Sequence, residues 1–469
     1  MASSPPHILL FPFMSKGHTI PTLNLARLFL RRNATVTIIT TPANHSFISN
    51  FLSDTKITII DLHFPKNIEQ IPNGTESTDK LPKISLWPSF AAATKLMQPQ
   101  FEEVLKNLPH LSFMITDGFL YWTVESANKF SVPRFVYYGM SSFAQTVSRI
   151  LVQSEILREI ESDDELFSIP GFPRVKLTRN DFEPIFTDRK PKGPHFEFIK
   201  NCAFSTSKSQ GLLVNSFYEL ESDFLEYWNT HFEPKAWAVG PFCLAEERPN
   251  QDCKKPWWVR WLDEKEEQGK GVLYVAFGSQ AEISAEQFTE IKSGLEESEV
   301  NFLWVVRKNV SELGDGFEER VKERGIVVKE WVNQREILGH ESIKGFLSHC
   351  GWNSVIESIC AKVPVLAWPM MAEQPLNARM VAEEIKIGIR VEIGKNGFVK
   401  AEDLEKNIRE LMEGEKGKEM RKKVKEVGEA AIRAVEEGGS SWKTLNELLL
   451  NDFRRHPCKK KTTTDGEIV

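Results

Sequence analysis

No two of the six cysteines (Cys202, Cys243, Cys253, Cys350, Cys360 and Cys458) form a C-x-x-C pair, so the common zinc and redox motifs are missing. Their scatter predicts free thiols in a reducing compartment. Positive charge is not in excess: 59 Lys and Arg face 65 Asp and Glu, a formal net charge of −6. That excludes the basic footprint of a non-specific nucleic-acid binder. No apolar run approaches the ~20 residues that cross a bilayer, so no membrane span is expected. The N-terminus, MASSPPHILLFPF, lacks a basic leader and reads as a first strand rather than a signal peptide, which predicts a cytoplasmic protein. The turn after that strand, PFMSKGH, lacks the G-x-G-x-x-G spacing that a nicotinamide-dependent oxidoreductase would want.

What the sequence does have is length, aromatic side chains and alternation. At 469 residues two domains are expected. The 31 Phe and 12 Trp supply aromatic surface for lining a pocket. HILLFPF (7–13), TVTIITT (35–41), LSFMITD (111–117), RFVYY (134–138) and GLLVNS (211–216) read as strands, with IPTLNLARLFLRR (20–32) as a helix between the first two. The Pro- and charge-rich stretches near 64–95 and 155–200 read as loops, and 241–258 as a linker. A second alternation follows: VLYVAFGS (272–279), NFLWVV (301–306), GIVVKEW (325–331), IKGFLSH (343–349), VPVLAWP (363–369) and GIRVEI (388–393). From 401 to 453 the pattern is helical, with Met420, Val424, Val427, Ala431 and Val435 on one stripe, and 454–469 reads as a disordered tail. The expected fold is α/β, two Rossmann-like doubly wound domains (1–240 and 259–453) facing a cleft. The last helices are candidates to pack back on the first domain.

In open parallel sheets ligands sit beyond the carboxyl ends of the strands, so polar residues there are the functional candidates. IKGFLSH ends at His349 and leads through CGWNSVIESICAK into VPVLAWP, a complete βαβ unit. Gly351 lets backbone approach a ligand, and Asn353 and Ser354 are helix-capping residue types. A helix start suits a diphosphate, but its dipole is worth only ~0.3–1 kcal/mol. Further donors are therefore needed, and His349, Asn353, Ser354 and Ser279 fit. Glu357 could accept from ribose hydroxyls. Trp331, read as a strand end, could stack on a base, with Gln334 three residues later. Glu373 and Gln374 follow the last strand and suit a sugar's hydroxyls.

The 44 residues from Trp331 to Gln374, with the core HCGWNS, resemble the signature box of plant UDP-dependent glycosyltransferases, family 1. The likeness extends to FPFMSKGHTIP, GLLVNSFYELE, AVGPF and VAFGS, and so covers nearly the whole chain. Two positions depart mildly: Asn333 stands where Pro or Asp is frequent, and Glu373 where Asp is frequent. The resemblance implies the GT-B fold and a UDP-sugar donor, with glucose the expected sugar. It places Trp331 on uracil, with Val332 beside it in the nucleotide site, and Gln334 and Glu357 on ribose. Ser279, His349, Gly351, Trp352, Asn353 and Ser354 fall to the phosphates, and Glu373 and Gln374 to the sugar.

His18 reads as lying in the loop after the first strand and Asp117 as closing another. A carboxylate orients a histidine and strengthens it as a base. The resemblance gives the same roles: His18 takes the acceptor's hydroxyl proton and Asp117 stabilises the imidazolium. Direct displacement at C1 then inverts the anomeric carbon. The chain has no D-x-D sequence, so neither metal nor cofactor is expected, with UDP-glucose as co-substrate. Phe13, Phe119, Tyr121, Tyr138, Met140, Phe143 and the 180–200 stretch are candidates for the acceptor pocket. They predict a small apolar or aromatic acceptor, such as a flavonoid, another phenolic or a terpenoid. A monomer is expected. The alternatives are a C-glycoside- or ester-forming transferase of the same fold, or an inactive nucleotide-sugar-binding protein, against which both His18 and Asp117 speak.

Overall fold

The computed structural model describes residues 5–154, 156–245, 255–306, 313–314, 316–393 and 397–451. The chain divides into two compact units, Met1–Glu246 with Ala434–Val469, and Glu247–Arg433.

In the first unit seven parallel strands line up in the order β3-β2-β1-β4-β5-β8-β9. They are β1 His7–Phe11, β2 Thr35–Thr40, β3 Thr58–Asp61, β4 Phe113–Asp117, β5 Arg134–Tyr137, β8 Gly211–Val214 and β9 Ala236–Ala238. A separate antiparallel pair, β6 Phe167–Ile169 and β7 Phe172–Leu177, lies between β5 and β8 in sequence. The central strands are continuous apolar runs because both faces are covered. Along β1, Ile8 and Leu10 enter one core cluster with Leu23 and Phe29, while Leu9 and Phe11 enter another with Phe90 and Trp122. That is the alternation a strand imposes.

The second unit repeats the design with six parallel strands in the order β12-β11-β10-β13-β14-β15. They are β10 Val272–Ala276, β11 Asn301–Val305, β12 Gly325–Val328, β13 Ile343–Ser348, β14 Val365–Ala367 and β15 Gly388–Arg390. Leu273 and Val275 face one core, and Val272 and Tyr274 the other.

Several details differ from the sequence reading. The stretches expected as loops hold ordered elements: a helix at Trp87–Ala93, the β6–β7 pair, and a helix at Pro194–Ser207. Pro88 and Pro194 sit in the first turns of these two helices, where a missing N–H costs nothing, rather than marking irregular chain. The stretch expected as a linker is anchored at both ends. Phe242 and Ala245 are buried in the first unit's core, and Trp258 in a helix Trp257–Glu267 of the second; 246–254 lie outside the described residues. So do Cys253, Cys458 and the stretch 454–469. The helix Glu415–Val435 carries the expected stripe, with Val424 and Ala431 buried. The helix Ser440–Leu450 places Leu445 and Leu448 in the first unit's core. Among the described residues no helix is long and apolar enough to cross a membrane.

Candidate active site

Each sheet has one point where its strand order reverses. There the loops on neighbouring strands leave in opposite directions and open a crevice. In the first unit this point lies between β1 and β4, where Phe11 pairs with Thr116. His18 follows β1 and Asp117 ends β4, so topology alone brings them together across 99 residues of sequence. His18 is not in a loop, as the sequence suggested. It sits in the first turn of the helix Lys16–Leu30, which starts four residues earlier than its apolar periodicity. The His18 and Thr19 N–H groups donate to the Ser15 carbonyl at 2.9 and 2.8 Å.

Asp117 accepts from His18 Nδ1 at 2.6 Å on one oxygen and from the Phe119 N–H at 3.0 Å on the other. The carboxylate is fully buried, while the imidazole is 19% exposed. With Nδ1 donating to a carboxylate, Nε2 is the nitrogen that can accept.

Aromatic rings surround this pair. Phe13 and Phe119 lie 5.8 and 5.2 Å from the His18 ring, centre to centre. Phe119 in turn contacts Tyr138 at 5.7 Å, and Met140 packs into the Tyr138 cluster. Tyr121 reaches the group through Phe198 at 5.6 Å. Phe143 does not join it: its ring is buried against Phe224, 4.9 Å away. Three residues not foreseen individually complete the wall. Trp87 stands 5.0 Å from Phe119, Phe198 stands 5.5 Å from Trp87, and His195 stands 6.0 Å from Trp87. Phe198 and His195 fall in the 180–200 stretch, but as one face of a helix rather than a loop.

In the second unit the order reverses between β10 and β13, where Ala276 pairs with Ser348. Ser279 lies in the turn after β10 and His349 follows β13 directly. The two turns pack closely: a Cβ on Gly278 (φ +77°) would lie 2.9 Å from His349 Nε2, and one on Gly351 2.7 Å from it. Glycine is required at both places for the ring to fit. Burial pushes the His349 imidazole down to about 4, the Ala276 carbonyl opposing only in part. It is therefore neutral near pH 7. Its Nδ1 is buried without a hydrogen-bond partner, which suits a polar ligand group at this turn.

The helix Trp352–Ala361 begins here, and its N-cap is Gly351; Asn353 and Ser354 stand inside the first turn instead of capping it. Trp352 is 1% exposed, so its indole is packed inside at the helix start and presents no open face to a ligand. Trp331 lies beyond the end of β12, which stops at Val328 because the chain then turns towards the helix Gln334–Leu338. Its ring is 53% exposed, while Val332 is buried. Gln334 donates to Ser354 Oγ at 3.0 Å and Glu357 Oε2 at 2.7 Å. Its own oxygen accepts from the Tyr274 hydroxyl at 3.3 Å. Three positions spread over 24 residues thus form one polar patch, with Tyr274 beneath it.

Glu373 is the N-cap of the helix Gln374–Arg379. The Asn377 side-chain amide donates to Glu373 Oε1 at 3.3 Å and to the Cys350 carbonyl at 3.0 Å, tying this pair to the His349 turn. Asn377 was missed in the sequence, although its spacing from Glu373 on one helix was a usable signal. Gln374 Oε1 accepts from the Met370 and Met371 N–H groups at 2.9 and 3.0 Å. The oxygen serves the turn, which leaves the amide N–H₂ as the part suited to a ligand.

Among the described residues, Asp263, Glu266 and His340 are placed so that they could share a cation. This trio precedes β13, whereas His349 follows it. A six-residue strand spans roughly 20 Å, so the trio belongs to the other end of the sheet. Asp263 there already holds Lys255 at 2.8 Å.

Residues 254–427 match the family model described as UDP-glucoronosyl and UDP-glucosyl transferase. UDP-glycosyltransferase 90A1 of Arabidopsis thaliana is 55% identical, over 94% of this chain and 95% of its own. The scopoletin glucosyltransferase of Nicotiana tabacum is 37% identical, over 94% and 97%. The crystal structure of Glycyrrhiza uralensis UGT73P12 complexed with glycyrrhetinic acid 3-O-monoglucuronide superposes with a TM-score of 0.83 at 33% identity, covering 95% of each chain. With two parallel switch-point sheets, a GT-B architecture and this likeness along nearly its full length, the chain belongs to the family 1 UDP-glycosyltransferases of plants.

Proposed function

We propose that the enzyme transfers glucose from UDP-glucose to a hydroxyl of a small apolar or aromatic acceptor, with inversion and without a metal ion. The observation that carries this reading is the 2.6 Å bond from His18 Nδ1 to the buried Asp117 carboxylate, set among Phe13, Phe119 and Trp87. An oriented imidazole inside an apolar aromatic wall suits general-base activation of an apolar acceptor's hydroxyl. His18 Nε2 takes the hydroxyl proton. The acceptor oxygen forms its bond to C1 as the bond from C1 to the diphosphate oxygen breaks, and UDP leaves with the electron pair. Asp117 stabilises the imidazolium. The start of the helix Trp352–Ala361, with Ser279 and His349, receives the growing charge on the diphosphate. Glucose as the sugar is supported by Gln374 and by the tobacco relative's name, that of a glucosyltransferase.

The test is UDP release with a panel of phenolic and terpenoid acceptors, followed by NMR of the product. A β-linked O-glucoside is expected; an α-linked product overturns inversion, and a C-linked product overturns hydroxyl activation. Rate should persist in excess EDTA, since fixed dipoles and side chains carry the diphosphate here. A large loss that Mg²⁺ or Mn²⁺ restores refutes the metal-free reading.

Donor reading can be tested apart from turn stability. Gln374→Glu keeps acceptors for the Met370 and Met371 N–H groups and removes the outward donor. One unpaired buried polar partner costs about 1–3 kcal/mol, so kcat/KM for UDP-glucose should fall roughly 5- to 150-fold. The affinity for UDP, which has no sugar, should stay constant. An unchanged ratio across UDP-glucose, UDP-galactose and UDP-glucuronic acid would remove Gln374 from sugar recognition.

A further inference from the structure

Arg134 opens β5 and is 2% exposed. Among the described residues no carboxylate lies within ion-pair distance of it, which is rare for a buried guanidinium. Neutral dipoles hold it instead. Its Nε donates to Thr116 Oγ1 at 2.7 Å and Thr123 Oγ1 at 3.0 Å. Nη1 donates to Ser209 Oγ at 2.6 Å and Ser205 Oγ at 3.0 Å, with the Ser205 carbonyl at 3.4 Å. Nη2 reaches towards the Asp117 backbone carbonyl at 3.5 Å. The side chain thus runs along β4 to the strand end that carries Asp117.

Asp117 is the complementary oddity. It is a buried carboxylate whose neighbour, His18, must be uncharged before it can accept a proton. In that resting state the pair has no cation of its own. The other titratable groups coupled to Asp117 do not supply one. Burial pushes the Tyr137, Tyr138 and Cys202 side chains upward, so they stay neutral. Burial pushes the Arg134 guanidinium down to about 10, with Tyr138, Cys202 and Asp117 opposing, so it remains charged near pH 7.

We propose that Arg134 is a positioning residue for catalysis. It places a buried positive charge at the strand end that carries the Asp117 carboxylate, and its hydroxyl cradle leaves that charge unspent by any ion pair. The inference rests on the reading of His18 as the base. Direct ion pairing would have fixed Arg134 to one carboxylate. Held by hydroxyls, it also joins the Asp117 strand end to Ser205, on the helix that brings His195 and Phe198 to the aromatic wall.

Removing a nearby cation favours every protonated form of the His18–Asp117 pair, so the acid limb of the rate profile must move to higher pH. Arg134→Met is expected to shift the acid limb up by roughly one unit, to lower kcat/KM for the acceptor about tenfold at pH values below that limb and less at pH 7, and to regain activity at alkaline pH. Arg134→Lys keeps the charge but loses the fork, so it should keep the limb and lose only a few-fold in kcat. Should Arg134→Met fold poorly, Arg134→Gln, which keeps hydrogen-bond donors towards the hydroxyls but loses the charge, must show the same upward shift of the limb, while Thr116→Val and Ser209→Ala, which keep the charge, must leave the limb in place; an unmoved limb in Arg134→Gln overturns the proposal. The overturning result is a wild-type limb that Arg134→Met leaves unmoved, with activity falling only in proportion to folded protein. An acid limb that survives in His18→Ala would instead refute the base assignment and leave Arg134 as packing.

Discussion

Replacing His18 by alanine should lower kcat for transfer to a hydroxyl acceptor by about 10²- to 10⁴-fold, the range a positioned base supplies. UDP should bind as in the parent, because every residue assigned to the nucleotide lies in the second unit. The large effect follows from geometry: the imidazole is fixed at Nδ1 by a 2.6 Å bond to a buried carboxylate, and its first helical turn is held by the Ser15 carbonyl. Asp117→Asn separates orientation from charge. It keeps a partner for Nδ1 but cannot stabilise the imidazolium, so it should also lose most of the rate. Turnover and calorimetry with UDP on the same preparations decide the matter. Normal turnover in His18→Ala removes it as the base, and an equal loss of UDP affinity assigns it to structure.

Glu357→Ala should weaken UDP binding by roughly 10- to 150-fold, with kcat at saturating donor little changed. Hydrogen bonds to charged groups contribute about 1.5–3 kcal/mol each, and 1.4 kcal/mol is tenfold. Glu357 has two tasks. Its carboxylate is proposed to accept from ribose hydroxyls, and Oε2 holds the Gln334 amide at 2.7 Å. Removing it leaves Gln334 with Ser354 and Tyr274 as anchors. Glu357→Gln keeps the shape and loses the charge, so a smaller loss is expected. Calorimetric affinities for UDP and uridine measure both variants. An unchanged Kd would show that this patch is internal scaffolding and not the ribose site.

The central strands and the polar residues at their carboxyl ends were legible because long β-branched runs and a complete βαβ box leave little freedom; the strand order, and with it both switch points, was not, because it depends on which strands pair. Two edge strands were not. β3, Thr58–Asp61, and β9, Ala236–Ala238, are short and lie at the two edges of their sheet, where pairing rather than pattern defines them. His18 was placed in a loop because Gly17 and Pro21 mask a helix start; Pro21 nonetheless sits inside that helix. The aromatic wall was only half visible. Phe13, Phe119 and Tyr138 flank strand ends, but Trp87 and Phe198 come from insertions whose folding depends on tertiary packing. Phe143 shows the converse: nearness in sequence to Tyr138 and Met140 did not bring it to the same face. The bonds that occupy Gln374 Oε1 could not be foreseen, since they depend on the local turn of Met370 and Met371.

The helix Ser440–Leu450 has a consequence for how the chain is made. Leu445 and Leu448 fill the same core as Ile8, Leu10, Phe29 and Trp237. Arg32 holds Asn446 at 2.9 Å. A ribosome emits the first seven-stranded sheet hundreds of residues before this piece arrives. The half of the enzyme translated first is therefore the half completed last, while Glu247–Arg433 is contiguous and can close as soon as it emerges. During synthesis the nascent first unit carries an uncovered apolar seam where Leu445 and Leu448 will seat. Folding helpers that shield such surface would act on that seam, and a message truncated shortly before codon 440 would leave it open for the life of the product.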